Sequence, residues 1–134
     1  MTQKTGIVWY LELTNAQIDE INANGWESEI GSVYLRAKNL DADGMKQALN
    51  LALYKPIAKV KAANAEQVWV AMQNITESWT ANVGSGKVVE EMIRGYAKAR
   101  SMDVGDVIVW NDGVEEAVDS FGFKAVEGFD SVIS

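Results

Sequence analysis

The residues best suited to chemistry lie in ARSMDVGDVIVWNDG (99–113), where Arg100, Ser101, Asp103 and Asp106 crowd around Gly105. A guanidinium, a hydroxyl and two carboxylates at this spacing could hold an anion or steer a proton. The same letters also describe the way a chain enters a hairpin, and that is the reading the residues favour. Arg100 pairs with Asp103 or Asp106, the short polar side chains bond nearby amides, and Gly105 takes a backbone angle that other residues resist. Chemistry elsewhere is thin. The chain has no histidine and no cysteine, which removes the usual general base near neutral pH, the commonest transition-metal ligand and any thiolate nucleophile. A Ser–His–Asp site cannot be assembled. Adjacent carboxylates at Asp19/Glu20, Glu90/Glu91 and Glu115/Glu116 sit on polar faces, where solvation is the default. No catalytic residue and no cofactor are expected.

Two stretches imitate ligand loops. NVGSGKV (82–88) resembles a phosphate loop, but Ala81 stands where glycine is needed and Val88 where a magnesium-binding hydroxyl is needed. In NLDADGMKQALN (39–50), Asn39, Asp41, Asp43 and Gly44 occupy ligand and turn positions of a calcium loop. Asn50 replaces its bidentate glutamate, Lys46 an aliphatic residue, and no helix is expected before it. Asp41 or Asp43 capping the following helix explains the same pattern. No metal is expected.

Binding is the better prospect. Trp9, Trp69 and Trp110 lie in apolar stripes and should pack in the core, whereas Trp26 and Trp79 follow turns or sit in loops and are candidates for a contact surface. Charge is placed unevenly. The net charge is −7, yet residues 1–100 carry as many Lys and Arg as Asp and Glu. The excess therefore lies beyond residue 100, with Asp103, Asp106, Glu115 and Glu116 among its members. A solvated acidic hairpin and tail is one reading; a face for a basic protein partner is the sharper one. The Lys55, Lys59 and Lys61 cluster is too small for a phosphate backbone, so no nucleic-acid contact is expected.

The elements that must position these residues form one domain, since 134 residues leave little to fill a second core. TGIVWYLEL (5–13) reads as a strand apolar on both faces, which belongs inside a sheet that is covered twice. Thr14 and Gln17 form a capping box for a helix from Asn15 to about Ala23, closed by Asn24-Gly25. SVYLRAK (32–38) alternates like a strand. GMKQALNLALY (44–54) has a helical stripe, and Pro56 separates it from IAKVKA, read as an edge strand guarded by Lys59 and Lys61. Asn64 with Gln67 caps a helix over 64–75, and KVVEEMIRGYAKAR (87–100) reads as the clearest helix, with a Glu90–Arg94 pair. DVIVW and VEEAVDSF, joined at Asp112-Gly113, read as a hairpin over 106–121 with a type I′ turn, although Val114, Ala117, Val118 and Phe121 also have helical spacing with Gly122 as a stop.

The expected fold is therefore α+β, a mixed or antiparallel sheet of about five strands with about four helices. A β-α-β-α-β part (1–62) precedes helices plus a hairpin (63–126) and an acidic tail (127–134). No run approaches the ~20 apolar residues of a membrane span. The opening MTQKTGIVWY lacks a signal-peptide core, so a cytoplasmic protein is expected, as monomer or homo-oligomer.

RSMDVGDVIVW…DGVEEAVDSFGFKAV resembles the C-terminal segment of many small bacteriophage proteins of unknown function. Arg100, Ser101, Met102, Val104, Gly105, Asp106, Gly122 and Phe123 match that pattern, and Asp103 replaces its usual serine. VWVAMQNITESW is similar to a segment often found upstream, so the resemblance covers about 64–126. It implies a viral accessory role in the host cytoplasm and brings no activity or catalytic residue. With the residues above, it favours protein binding without catalysis. An acidic nucleic-acid mimic that inhibits a host enzyme, a minor virion or assembly component, and a histidine-free hydrolase built on carboxylates are the alternatives.

Overall fold

A strand apolar on both sides needs cover on both sides, and β1 (Lys4–Leu11) has it. In the computed structural model, which describes residues 3–93, 99–126 and 128–129, β1 runs antiparallel between β2 (Tyr54–Ala62) and β4 (Val107–Trp110). With β3 (Val89–Met92), β5 (Glu115–Asp119) and β6 (Gly122–Ala125) they form one sheet in the order β3-β2-β1-β4-β5-β6. Every neighbouring pair is antiparallel. The protein is a single α+β domain.

The two faces are covered unequally. Trp9 and Leu11 face helices α2 (Glu29–Lys38) and α3 (Ala42–Asn50), and pack with Val33, Ala37, Met45, Ala48 and Tyr54, while α1 (Asn15–Asn24) rests on α2. Val8 and Tyr10 face the opposite core of Val60, Val68, Met72, Trp79, Ile108 and Trp110. Among the described residues, that side has only the short helix α4 (Ala65–Ala71), a 3₁₀ turn at Trp79–Asn82 and the irregular chain before β4.

Caps behave as their residue types demand. The Thr14–Gln17 capping box closes the start of α1, and the Gln67 amide donates to Asn64 Oδ1 at 3.0 Å at the start of α4. At α3 the cap is Asp41, whose carboxylate accepts from the Gly44 amide at 2.9 Å. A helix, α2, does precede this segment, contrary to expectation.

Two segments exchange their expected states. SVYLRAK is helical because its burial has helical period: Val33 and Ala37 are buried, Ile30 and Tyr34 pack beside them, and Leu35, which suggested alternation, is 41 % exposed. Ser28 caps this helix, and Arg36 and Lys38 lie in its last turn, favourable for the helix dipole. KVVEEM is not helical. Val89–Met92 is the edge strand β3, whose Glu91 stands opposite Lys59 of β2, a cross-strand charge pair that suits a sheet. The remainder of the expected helix, including the Glu90–Arg94 pair, involves residues outside those described, as does most of the 127–134 tail. β2 is thus second from the edge, and Pro56 lies within it. There the register against β1 slips by one residue, a bulge at which a missing N–H is tolerated.

The hairpin over 106–121 is present, followed by β6. Its turn is not type I′. Gly113 alone takes a positive φ, 92°, while Asn111 and Asp112 do not, and the Gly113 amide donates to the Trp110 carbonyl. That is a type I turn closed by a glycine bulge.

Candidate functional site

Around the Arg100–Asp106 segment the polar groups converge. The β1–β4 ladder ends at Trp9 opposite Val107, which leaves the Leu11 amide and carbonyl on that side without a strand partner. Side chains replace it. The Leu11 N–H donates to Asp106 Oδ1 at 2.9 Å, and Arg100 donates to the Leu11 carbonyl at 3.0 Å. Arg100 and Asp106 also meet in a two-pronged pair at 2.7 and 2.8 Å. Asp106 is fully buried and accepts further from the Asp103 amide at 2.7 Å. Burial pushes the Asp106 carboxyl up, and the guanidinium and the two amides pull against that. Arg100 lies 4.1 Å over the ring of Tyr10.

Three side chains donate to carbonyls of this loop and pin it. The Tyr10 hydroxyl and the Trp79 indole N–H both donate to the Arg100 carbonyl, at 3.1 and 2.8 Å. Tyr54 donates to the Gly105 carbonyl at 2.8 Å. Burial raises both phenols above their ordinary range, so they remain donors at neutral pH. Ser101 Oγ accepts from the Asn74 amide at 2.8 Å. Gly105 has φ +94° and would bring a Cβ to 3.2 Å from Leu11 Cδ2. This cluster is a clasp that ties the loop to β1, β2 and the 72–79 segment. Asp106 is saturated with donors, which leaves no lone pair for acid–base work.

The remaining sequence candidates are scattered. Trp79, a candidate contact residue, is 2 % exposed and belongs to the core, because its indole is needed at the clasp. Trp26 is 51 % exposed and leans on Tyr34 in the α1–α2 corner, far along the chain from the others. Asp103 pairs with Lys38 at 3.1 Å and Asp112 with Lys4 at 3.3 Å. Glu115 is buried and accepts from the Phe129 amide, and Glu116 accepts from the Trp110 indole at 2.8 Å. The acidic excess beyond residue 100 is largely stitched into the fold among the described residues.

An open cleft lies beside the clasp. It has a volume of about 500 Å³ and is lined by Glu66 and Trp69 of α4, Val104 of the clasp loop, and Val118, Asp119, Ser120, Gly122 and Phe123 of the β5–β6 hairpin. Glu66 and Trp69 share one helix face at i, i+3 spacing. Trp69 and Phe123 are half-buried against the core, and Glu66 and Asp119 bring carboxylates to the same cleft. Phe121, between two lining residues at the tip of the turn, is 98 % exposed. Sequence reasoning missed these residues. The available signal was Ser120-Phe121-Gly122: a large apolar residue directly before a glycine that can close a turn sits at the tip. Gly122 does so, with φ 90°.

Comparison of the chain with family models, with curated proteins and with solved structures finds no match. Among the described residues no three His, Cys, Asp or Glu gather as a metal-ligand group, and no helix is long and apolar enough to cross a membrane.

Proposed function

We propose that this chain is a phage-type accessory protein that acts by binding another protein, without catalysis, and that the cleft beside α4 with the Phe121 tip is its contact surface. One observation carries the reading: Phe121 is almost fully exposed, and its chain neighbours Ser120 and Gly122 both line an apolar-floored cleft. A phenyl ring so placed contributes nothing to the core, and large aromatic side chains of this kind supply contact area at interfaces. Val70 and Ile75, on and just after α4, are exposed as well. The phage setting rests on the resemblance of the 100–123 segment.

The test is affinity capture from infected cells with the wild-type chain and with Phe121→Ser. Because Phe121 is exposed, its replacement should leave the melting temperature within the scatter of a neutral surface change, about 0.5 kcal/mol. A defined protein should co-purify with the wild type and be lost from the variant. Equal capture by both would refute this surface.

A further inference from the structure

The chemistry of the cleft points to the group it takes, and we infer that it receives a single arginine side chain of the partner protein, an inference that rests on the binding surface proposed above. Two aromatic rings, Trp69 and Phe123, and two carboxylates, Glu66 and Asp119, line the same concavity. A guanidinium is the group that satisfies both kinds of wall at once: its flat face stacks on an indole or phenyl ring, and its N–H fork meets carboxylate oxygens. Val104 and Val118 give the floor an apolar surface for the methylene stem. A hard divalent ion would want six or more oxygen ligands, and aromatic rings supply none. A purely aliphatic side chain would leave two carboxylates facing it without a cation.

The occupant belongs to a protein rather than to a free small cation because the cleft is open and the exposed Phe121 stands in the turn between its lining residues Ser120 and Gly122. That ring has no contact to make with a ligand held inside, but it can pack on the backbone or neighbouring side chains of a chain that delivers the arginine. The charge is complementary in the same place. Glu66 and Asp119 lie at the cleft, where Asp119 Oδ1 accepts from the Ser120 amide at 2.7 Å, whereas Asp103, Asp106 and Asp112 are matched to the cations Lys38, Arg100 and Lys4.

The experiment titrates the intact protein with a short acetylated Gly-Phe-Arg-Gly amide and with its citrulline twin, which keeps the shape and loses the charge. Binding is followed by calorimetry and by the shifts of the Trp69 indole and Gly122 amide signals. The arginine peptide should saturate, weaken with added salt, and bind roughly tenfold more tightly than the citrulline peptide. The double variant Glu66→Gln/Asp119→Asn should erase that difference with an unchanged melting temperature. Equal binding of the two peptides overturns the arginine inference while leaving an apolar docking cleft in place. No saturation by either peptide up to tens of millimolar also overturns it. The binding surface itself stands or falls separately, on whether Phe121→Ser loses the captured partner.

Discussion

Removing the Asp106 carboxylate would leave the half-buried Arg100 guanidinium without its hydrogen-bonded ion-pair partner and the Leu11 and Asp103 amides without acceptors. Asp106→Ala should therefore cost about 3–5 kcal/mol, as for other broken buried pairs. Arg100→Leu alone should also be severe, and the double replacement much milder than the sum, because the two act as a unit. Urea unfolding of the four proteins of this cycle gives the coupling directly; additive losses would show that the pair is incidental. Next to it, Gly105→Val should lose about 1–3 kcal/mol through its positive φ, with further cost from crowding against Leu11. A thermal melt equal to wild type would contradict this. Asp103 behaves differently because it is exposed. Slight burial pushes its carboxyl up, but the Val104 amide and Lys38 outweigh this and hold it below the usual range. A lowered folded value means stability that is present above the unfolded pKa, about 4, and is lost as pH falls through the folded value. Asp103→Asn should thus flatten the acid limb of melting temperature against pH and change little at pH 7. At this scale the sequence was legible where polar side chains satisfy nearby backbone, as at Arg100 and Asp106. It was opaque where a partner comes from afar. Nothing around Trp79 announces that a carbonyl 21 residues later needs its indole.

Caps are the elements' clearest text. Thr14, Asp41 and Asn64 each accept the amide three residues on, and each position was readable from its own four letters. Asp41→Ala should destabilise by about 0.5–2 kcal/mol for loss of the cap, and millimolar calcium should leave the melting temperature of the wild type unchanged, since the loop lacks the glutamate clamp. A rise with calcium that a chelator reverses would count against the capping role. Element type was less legible than element ends. Over seven residues SVYLRAK fits both periods, and only Ile30, just outside it, completes the helical stripe with Val33, Tyr34 and Ala37. For VVEEM the deciding fact is non-local: a slot beside β2 with Lys59 opposite Glu91. β-Branched valines accept that slot readily, and no window confined to 87–100 contains the information. The strand β1 was read correctly because its cause, apolar residues on both faces, is written within it.

For the whole molecule, sheet order sets the gradient of local stability. β1 is paired on both sides and packed on both faces, while β3 and β6 are short edges. Hydrogen exchange should find the slowest amides at Val8 and Tyr10 and fast ones in β6, since protection follows contact density. Comparable protection in β6 would contradict the order or reveal a partner on that edge. The strand order was not legible in advance, because nothing in the letters of β1 says that it pairs with a strand about a hundred residues later. That arrangement has a consequence for biogenesis. At ribosomal speeds of roughly 5–20 residues per second, the nascent chain carries β1 for about 5–20 s before β4 exists to dock on it. Until then one side of the future central strand is an unclosed seam, and Arg100 and Asp106 have not yet emerged to fasten its end. The hairpin that looks like a C-terminal appendage is thus the last piece of the keystone course, and premature termination anywhere before residue 107 would release a chain with its middle strand half-paired.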